Sequence, residues 1–190
     1  MKRKYELKHR AAQQAATRNR IVQAAVGLHT SVGPARTTVS EIAERAGVQR
    51  HTVYAHFPDQ QALFDACSAH WAGLHPLPDA SRWSAIADSE DRLRAALDDV
   101  YVWYETVEED LAIFDRDSQV HDITAELVAR RRDRLRALTE PLASGWSRRK
   151  VVRAAIGHAL EFETWRSLVR RQGLTRAQAV DAVLSFVRSV

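Results

Sequence analysis

A group of polar side chains between residues 38 and 56 could read a nucleic acid. Arg and Gln bind the edges of guanine and adenine through paired hydrogen bonds, while hydroxyl and imidazole groups bind phosphate oxygens. Gln49 and Arg50 lie at the expected start of a short helix, where they could reach base edges. The residues predicted to contact double-stranded DNA are Thr38, Ser40, Gln49, Arg50, His51, Thr52, Tyr54 and His56.

Two short helices joined by a glycine turn would position these side chains. Thr38 followed three residues later by Glu41 is a capping box, which satisfies free backbone N–H groups where a helix begins. Gly47 supplies the left-handed conformation that ends this helix. A second helix over about 49–56, ended by Pro58, has the size to enter a major groove. The residues expected to pack these helices together are Val39, Ile42, Ala43, Val48 and Val53.

Charge is distributed unevenly along the 190-residue chain. Residues 1–60 contain ten Lys and Arg against four Asp and Glu, a balance of +6, and residues 61–190 contain eighteen against twenty, a balance of −2. Cationic side chains gain affinity for DNA by releasing counterions. The asymmetry therefore favours a DNA-binding head on a near-neutral body, although a solvated basic face would give the same pattern.

The composition predicts an all-α protein. Gly and Pro are few, and apolar residues recur at spacings of three and four. No apolar run suits a signal peptide or a membrane span, so we expect a soluble, cytoplasmic protein with no membrane partner. Cys67 is the single cysteine, which excludes an internal disulfide and leaves a buried thiol as its simplest role.

The chain is predicted to divide at two points. Residues 1–58 would form a basic arm and a DNA-binding domain, 59–75 a connecting helix, and 76–190 a helical ligand-binding and dimerisation domain. We expect the first helix at about 14–30, preceded by an arm that either follows the DNA or is disordered. His75 to Trp83 contains two prolines and is predicted to be a linker.

The body is expected to contain long helices at about 89–109, 151–169 and 177–190, with another before Gly145. The last two helices are apolar around much of their circumference, which predicts a two-fold symmetric four-helix dimer interface. An internal helix of a larger monomeric core is the alternative. The residues predicted to form this interface are Val152, Ala155, Ile156, Ala159, Val180, Val183, Leu184 and Val187.

Aromatic and polar residues of the body are candidates for a small-molecule pocket, although aromatic residues at helical spacing also form plain cores. The candidates are Tyr101, Trp103, Tyr104, Phe114, His121, His158, Glu161 and Trp165. His158 with Glu161, and Cys67 with His70, share helix faces but lack the further ligands that a metal site requires. We therefore predict no metal and no cofactor.

The stretch from about Ile21 to Leu63 resembles the DNA-binding domain of the tetracycline-repressor (TetR) family. The resemblance is carried by the run from Thr38 through Val48 and by Thr52 to Phe57, followed by a helix restart at Asp59. It implies an all-α fold of about nine helices, a homodimer formed by the last two, and a C-terminal ligand pocket whose occupancy releases DNA.

Two positions depart from the family's pattern. His51 stands where the family usually has glycine or alanine, and Gln60 stands where it often has a phosphate-binding lysine. His51 could add a contact, whereas Gln60 removes a charge. Lys8 and Arg10, with Lys2, Arg3 and Lys4, could compensate from the N-terminal arm.

The predicted function is a sequence-specific transcription regulator rather than an enzyme. We expect a cytoplasmic, nucleoid-associated bacterial repressor that binds a palindromic DNA operator as a homodimer and is released by an unknown small-molecule effector. Three alternatives remain: a transcription activator, a ligand-independent DNA-binding protein, and a helical-bundle metalloenzyme using His158 and Glu161.

Overall fold

A computed structural model describes the backbone of residues 2–190 and the side chains from residue 6 onward. These residues form α-helices, a short 3₁₀-helix at Pro34–Arg36 and a π-helical turn at Ser167–Arg171, and no strands, as predicted. The helices are α1 (Lys2–Ser31), α2 (Val39–Ala46), α3 (Arg50–His56), α4 (Gln60–Leu74), α5 (Ser81–Ser84), α6 (Ser89–Asp117), α7 (Asp122–Arg136), α8 (Thr139–Ala143), α9 (Lys150–Ala159), α10 (Phe162–Arg166) and α11 (Arg176–Ser189).

The chain forms two compact units, and their limits differ from a simple cut at one position. The N-terminal unit comprises the chain up to His75 together with Glu109–Val128. The C-terminal unit comprises Pro76–Glu108 and Ala129–Val190. Residues 109–128, from the middle of the chain, thus belong to the unit that contains α1 to α4.

The core of the N-terminal unit holds α2 and α3 in place. Apolar side chains of α1 and α4 pack with those of the two short helices, because each helix has one apolar face to bury. The buried members of this core are Ile21, Val22, Ala24, Ala25, Ile42, Ala43, Ala46, Val53, Phe57, Leu63 and Cys67. Val39 and Val48 pack against them, so the predicted packing of this segment is confirmed.

The end of α6 holds the turn that precedes α2. The buried carboxylate of Asp117 accepts the Ala35 N–H at 2.9 Å and the Arg116 Nε–H at 2.7 Å. Arg116 also donates through Nη2 to the carbonyl of Val32 at 2.9 Å. Gly33 has φ 103°, and a Cβ there would lie 2.3 Å from Asp117 Oδ2. Glycine is therefore required at this turn both for its backbone conformation and for space.

The C-terminal unit has a core built mainly on α6, α9, α10 and α11. Its largest fully buried side chains are Leu93, Leu97, Tyr101, Tyr104, Leu142, Ile156, Leu160, Trp165 and Leu184. Ion pairs connect α6 with α11 at the surface, including Arg94 with Asp181 at 2.6 Å and Arg188 with Glu90 at 3.0 Å. Exposed pairs of this kind contribute little, so apolar burial is the main stabilising term.

Several helix limits differ from the sequence expectation. α1 begins at Lys2 rather than near residue 14, because the run before Gly27 contains no helix-breaking residue. The predicted arm is thus helical in its backbone, and the side chains of Lys2, Arg3 and Lys4 lie outside the described residues. α6 continues to Asp117, and the helix expected before Gly145 is divided into α7 and α8.

The expected linker is shorter than predicted, since residues 75–80 are irregular and the two units divide after His75, but α5 follows at Ser81. The expected helix at 151–169 is interrupted. Trp83 is buried in the short helix α5, and its indole N–H donates to Asp99 at 2.9 Å. The later helix ends at Ala159 and restarts at Phe162 after the extended residue Glu161. None of the helices in the described part of the chain is long and apolar enough to cross a membrane.

Candidate nucleic-acid interface

The first helix of the motif begins with the predicted capping box. The Glu41 N–H donates to the Thr38 hydroxyl oxygen at 3.2 Å, and the Glu41 carboxylate accepts the Thr38 N–H at 2.7 Å. The hydrogen bonds that the Thr38 N–H and hydroxyl donate to this carboxylate lower the pKa of Glu41. The box satisfies backbone donors where α2 starts, which fixes the helix in register with the core below it.

The turn between the two helices depends on Gly47. Its backbone lies in the left-handed region, with φ 66° and ψ 39°, and its N–H caps the end of α2. The Val48 N–H then donates to the Ala43 carbonyl at 3.0 Å. The turn reverses the chain within a few residues and positions α3 across α2.

α3 separates an apolar side from a polar side. Val53 is 1% exposed and Phe57, just past the helix, is 2% exposed. Gln49, Arg50, His51 and Tyr54 are exposed, whereas Thr52 and His56 are half-buried. Gln49 is the residue before the helix rather than its first residue, and it forms no side-chain cap. The exposed set is the one that could reach base edges in a major groove.

Arg50 and Tyr54 interact with each other along the exposed side of α3. The Arg50 guanidinium lies 5.6 Å from the centre of the Tyr54 ring and donates to its hydroxyl at 3.2 Å. This pairing at positions i and i+4 holds the cationic group above the helix. Arg18 of α1 similarly lies 4.8 Å from the centre of the Phe57 ring.

Residues near the start of α2 offer contacts for a phosphate. Thr38 and Ser40 are exposed, as expected, although the Thr38 hydroxyl also donates to Glu41 at 2.8 Å. Arg36 is exposed two residues before Thr38 and was not selected from the sequence. The sequence does indicate this residue as a candidate phosphate contact, since a cation beside a helix N-terminus favours an anion there.

The residues predicted to bind a small molecule fall into two places. Tyr101, Trp103, Tyr104 and Trp165 are buried in the C-terminal unit, where Trp165 and Tyr104 lie 5.7 Å apart between ring centres. Burial raises the pKa of the Tyr101 phenol. The Nε1 donor of Trp165 is buried and has no hydrogen-bond partner.

The two tyrosines of this cluster stabilise the break after α9. The Tyr101 hydroxyl donates to the Ala159 carbonyl at 3.0 Å, and the Tyr104 hydroxyl donates to the Leu160 carbonyl at 2.6 Å. Carbonyls at a helix end lack intrahelical partners, so these hydroxyls replace the missing bonds. The tyrosines therefore have a structural role in addition to any contact with a ligand.

The other members of the predicted set lie elsewhere. Phe114 and His121 belong to the N-terminal unit, where Phe114 contacts Trp71 and His121 lies 6.0 Å from Phe64 between ring centres. His158 is exposed and Glu161 is half-buried. The described residues contain no group of three or more His, Cys, Asp or Glu side chains that could hold a metal ion.

The residues assigned to the dimer interface face the interior of their own chain. All eight are buried within the single chain: Val152, Ala155, Ile156, Ala159, Val180, Val183, Leu184 and Val187. They cannot form the surface that meets a second copy, so this assignment is corrected. Helical periodicity identified an apolar face on each helix, but the chain's own core covers that face. Val151 and Phe186 are the large apolar side chains exposed on α9 and α11, at 41% and 50%.

Comparison with known proteins agrees with this geometry. Residues 21–67 match the model of the bacterial regulatory proteins of the tetR family. No curated protein matches the chain in sequence. Among solved structures, a TetR-like transcriptional regulator from Rhodococcus sp. RHA1 has 19% identity and a TM-score of 0.63, over 90% of this chain and 93% of that one.

Two further structures share the fold. The fatty acid degradation regulator FadR from Bacillus halodurans has 19% identity and a TM-score of 0.60, over 90% of this chain and 93% of its own. AibR, solved in complex with isovaleryl coenzyme A and operator DNA, has 21% identity and a TM-score of 0.57. The match covers 90% of this chain and 97% of AibR. Residues 21–67 therefore form a helix-turn-helix that matches the tetR family of bacterial regulatory proteins, and the chain shares its fold with TetR-like transcriptional regulators.

Proposed function

We propose that this chain is a sequence-specific transcription regulator that binds a palindromic DNA operator as a homodimer. The observation that carries the proposal is that α3 has one buried and one exposed side. Val53 is buried, while Gln49 and Arg50 are exposed. An exposed Arg can pair with guanine and an exposed Gln with adenine. Thr38, Ser40, Arg36 and His51 would bind the phosphates on either side.

Dimerisation would present two copies of α3 to one face of the duplex. Recognition helices of such dimers enter successive major grooves about 34–36 Å apart. The exposed apolar residues Val151 on α9 and Phe186 on α11 are the candidates for the dimer contact. Because a two-fold interface uses the same patch on both copies, a single apolar patch on these two helices is sufficient.

Relief of repression by a small molecule is the second part of the proposal. AibR was crystallised with both an acyl coenzyme A and operator DNA, which supports a ligand-responsive regulator as the model for this chain. A ligand releases DNA when it binds better to a conformation in which the two heads no longer fit successive grooves. The difference between its two affinities sets how far the equilibrium shifts.

Selection of bound genomic fragments, followed by a salt titration, tests the proposal. The full chain is mixed with sheared genomic DNA, and the enriched fragments are sequenced. We expect enrichment of palindromic sites and an affinity that falls steeply as salt rises. The logarithm of the binding constant should fall with the logarithm of the salt concentration, with a slope of about −0.9 per phosphate contact. Random fragments bound with a flat salt response would contradict DNA recognition through α3.

The position of the enriched sites relative to promoters separates a repressor from an activator. Sites that overlap a promoter and lose the protein on induction support repression. Sites upstream of a promoter, with reporter output that falls when the protein is deleted, support activation instead.

A further inference from the structure

A cavity of about 270 Å³, open to solvent on one side, lies among residues of the C-terminal unit. Its apolar wall is formed by Trp83, Leu138, Pro141 and Leu142, and its polar wall by Arg92 and Ser84. These residues come from α5, the first turn of α6, and the segment that contains α8. The cavity is therefore distinct from the aromatic cluster around Tyr104 and Trp165.

Arg92 places a buried positive charge in the polar wall of the cavity. The residue is 9% exposed, and its Nη1 donates to the carbonyls of Ile86 at 2.8 Å and Ala87 at 3.3 Å. Nη2 donates to the carbonyl of Ser144, and Nε is buried without a hydrogen-bond partner. No carboxylate in the described part of the chain forms an ion pair or hydrogen bond with this guanidinium.

A buried cation without an anionic partner is costly to maintain. Neutral carbonyls satisfy some of its donors, but they do not neutralise its charge. The carboxylates of Asp88, Glu90 and Asp91 lie at the same end of α6, but none of them pairs with the Arg92 guanidinium. The buried charge therefore favours an anion bound beside Arg92.

We propose that this cavity binds a small organic monocarboxylate. Its carboxylate is held by Arg92, whose planar guanidinium suits that group, and its hydrocarbon body contacts Trp83 and Leu142. The apolar wall favours a hydrocarbon over an inorganic anion. A cavity of about 150 Å³ with apolar walls accommodates benzene, so the larger cavity here accommodates a ring or short chain that bears a carboxylate.

Binding of the carboxylate does not depend on DNA. Its use as the effector rests on the proposed function, because only a DNA-binding regulator has an operator to release. Affinity for the carboxylate and affinity for DNA are therefore measured separately, so that failure of one does not count as failure of the other.

Isothermal titration of the full chain with benzoate and with hexanoate tests the proposal. We expect saturable binding of at least one of them, at one molecule per chain, and binding of the neutral isostere benzamide that is weaker by about tenfold or more. If neither carboxylate binds saturably at millimolar concentration, or if benzamide binds as well as benzoate, the proposal is wrong.

Three variants locate the site. Arg92→Gln removes the charge and should weaken carboxylate binding by about tenfold or more. Ala80→Phe adds a ring at the wall of the cavity without removing a hydrogen bond, and should weaken binding comparably. Arg153→Gln replaces an exposed arginine of α9 and should bind as wild type does.

The folded state of each variant is checked by circular dichroism and its melting temperature. Should Arg92→Gln fail to fold, Ala80→Phe decides the question. Wild-type carboxylate affinity in a folded Ala80→Phe variant would overturn the assignment of the cavity.

Discussion

Arg50 of α3 is ordered by a contact with Tyr54 that it can exchange for a contact with a DNA base. Its guanidinium lies over the Tyr54 ring and donates to the hydroxyl, but both side chains are exposed. An exposed interaction of this kind contributes little to stability, so exchanging it for a base costs little. The same contact orders a long side chain, which lowers the entropy lost on binding.

His29 is the residue whose burial gives the clearest dependence on pH. Burial lowers its pKa from 6.5 to about 4, and the nearby His121 adds to this effect, while Asp117 opposes it. The unfolded chain therefore takes up a proton near pH 6.5 that the folded chain refuses until about pH 4. Stability contributed by neutral His29 is complete above pH 6.5 and is lost as the pH falls towards 4.

We expect the free energy of unfolding to fall by about 2 kcal/mol through this group between pH 7.5 and pH 5.0. His29→Leu removes the titrating ring, so its stability should change less between the two pH values, as measured by urea unfolding. His51→Leu, which replaces an exposed ring, is the matched control and should keep the wild-type dependence. Equal pH dependence in wild type and His29→Leu would contradict the assignment.

At the scale of the element, the helix-turn-helix depends on the turn that joins its helices. Gly47 has φ 66°, and a Cβ at this position would meet no atom within 4 Å. The cost of another residue there is therefore conformational and not steric. Gly73, inside α4, also has open space around a Cβ but does not have a positive φ.

Substitution of these two glycines should change stability in opposite directions. Gly47→Ala forces alanine into the left-handed region and should lower the free energy of unfolding by about 1 kcal/mol. Gly73→Ala removes a flexible residue from a helix and should raise it by about 0.5–1 kcal/mol. Urea unfolding of both variants makes the comparison, and a stabilising Gly47→Ala would mean that the turn is not left-handed in solution.

The helix-turn-helix could be predicted because its signals are local. The capping box, Gly47 and the helical spacing of apolar residues all lie within about twenty residues. Each has one main structural meaning. The burial of Val53 and the exposure of Arg50 follow from that pattern. The half-burial of Thr52 and His56 does not, since it depends on how closely α3 approaches the rest of the unit.

The elements of the body were harder to predict because their limits depend on distant residues. The break after α9 is stabilised by the hydroxyls of Tyr101 and Tyr104, which lie 58 and 56 residues away from their partners. Likewise, the burial of Trp83 depends on Asp99 on the next long helix. Helical periodicity shows which residues are apolar, but it does not show which neighbour covers them.

For the whole molecule, the proposed function requires a homodimer. The eight residues first assigned to the interface are buried in the single chain, so the contact has to use side chains that the chain leaves exposed. Val151 and Phe186 lie on α9 and α11, which pack against each other. Ala182 is exposed one helical turn before Phe186, which extends the apolar surface of α11.

Phe186→Glu should convert the proposed dimer into a monomer, because it places a charge in the centre of the proposed apolar contact. Light scattering coupled to size-exclusion chromatography measures the mass directly. Val102→Glu, at an exposed apolar position of α6, is the matched control and should leave the mass of the assembly unchanged. A dimer that survives Phe186→Glu would exclude this face of α11 from the interface.

If α3 reads DNA through Gln49 and Arg50, a double variant at these two positions should lose affinity for the operator. Fluorescence anisotropy measures the dissociation constant of the full chain on an operator taken from the genomic selection. We expect Gln49→Ala/Arg50→Ala to weaken binding by tenfold or more, since each base contact contributes about 1–3 kcal/mol, while Arg153→Ala binds as wild type. Unchanged affinity in the folded double variant would contradict the account.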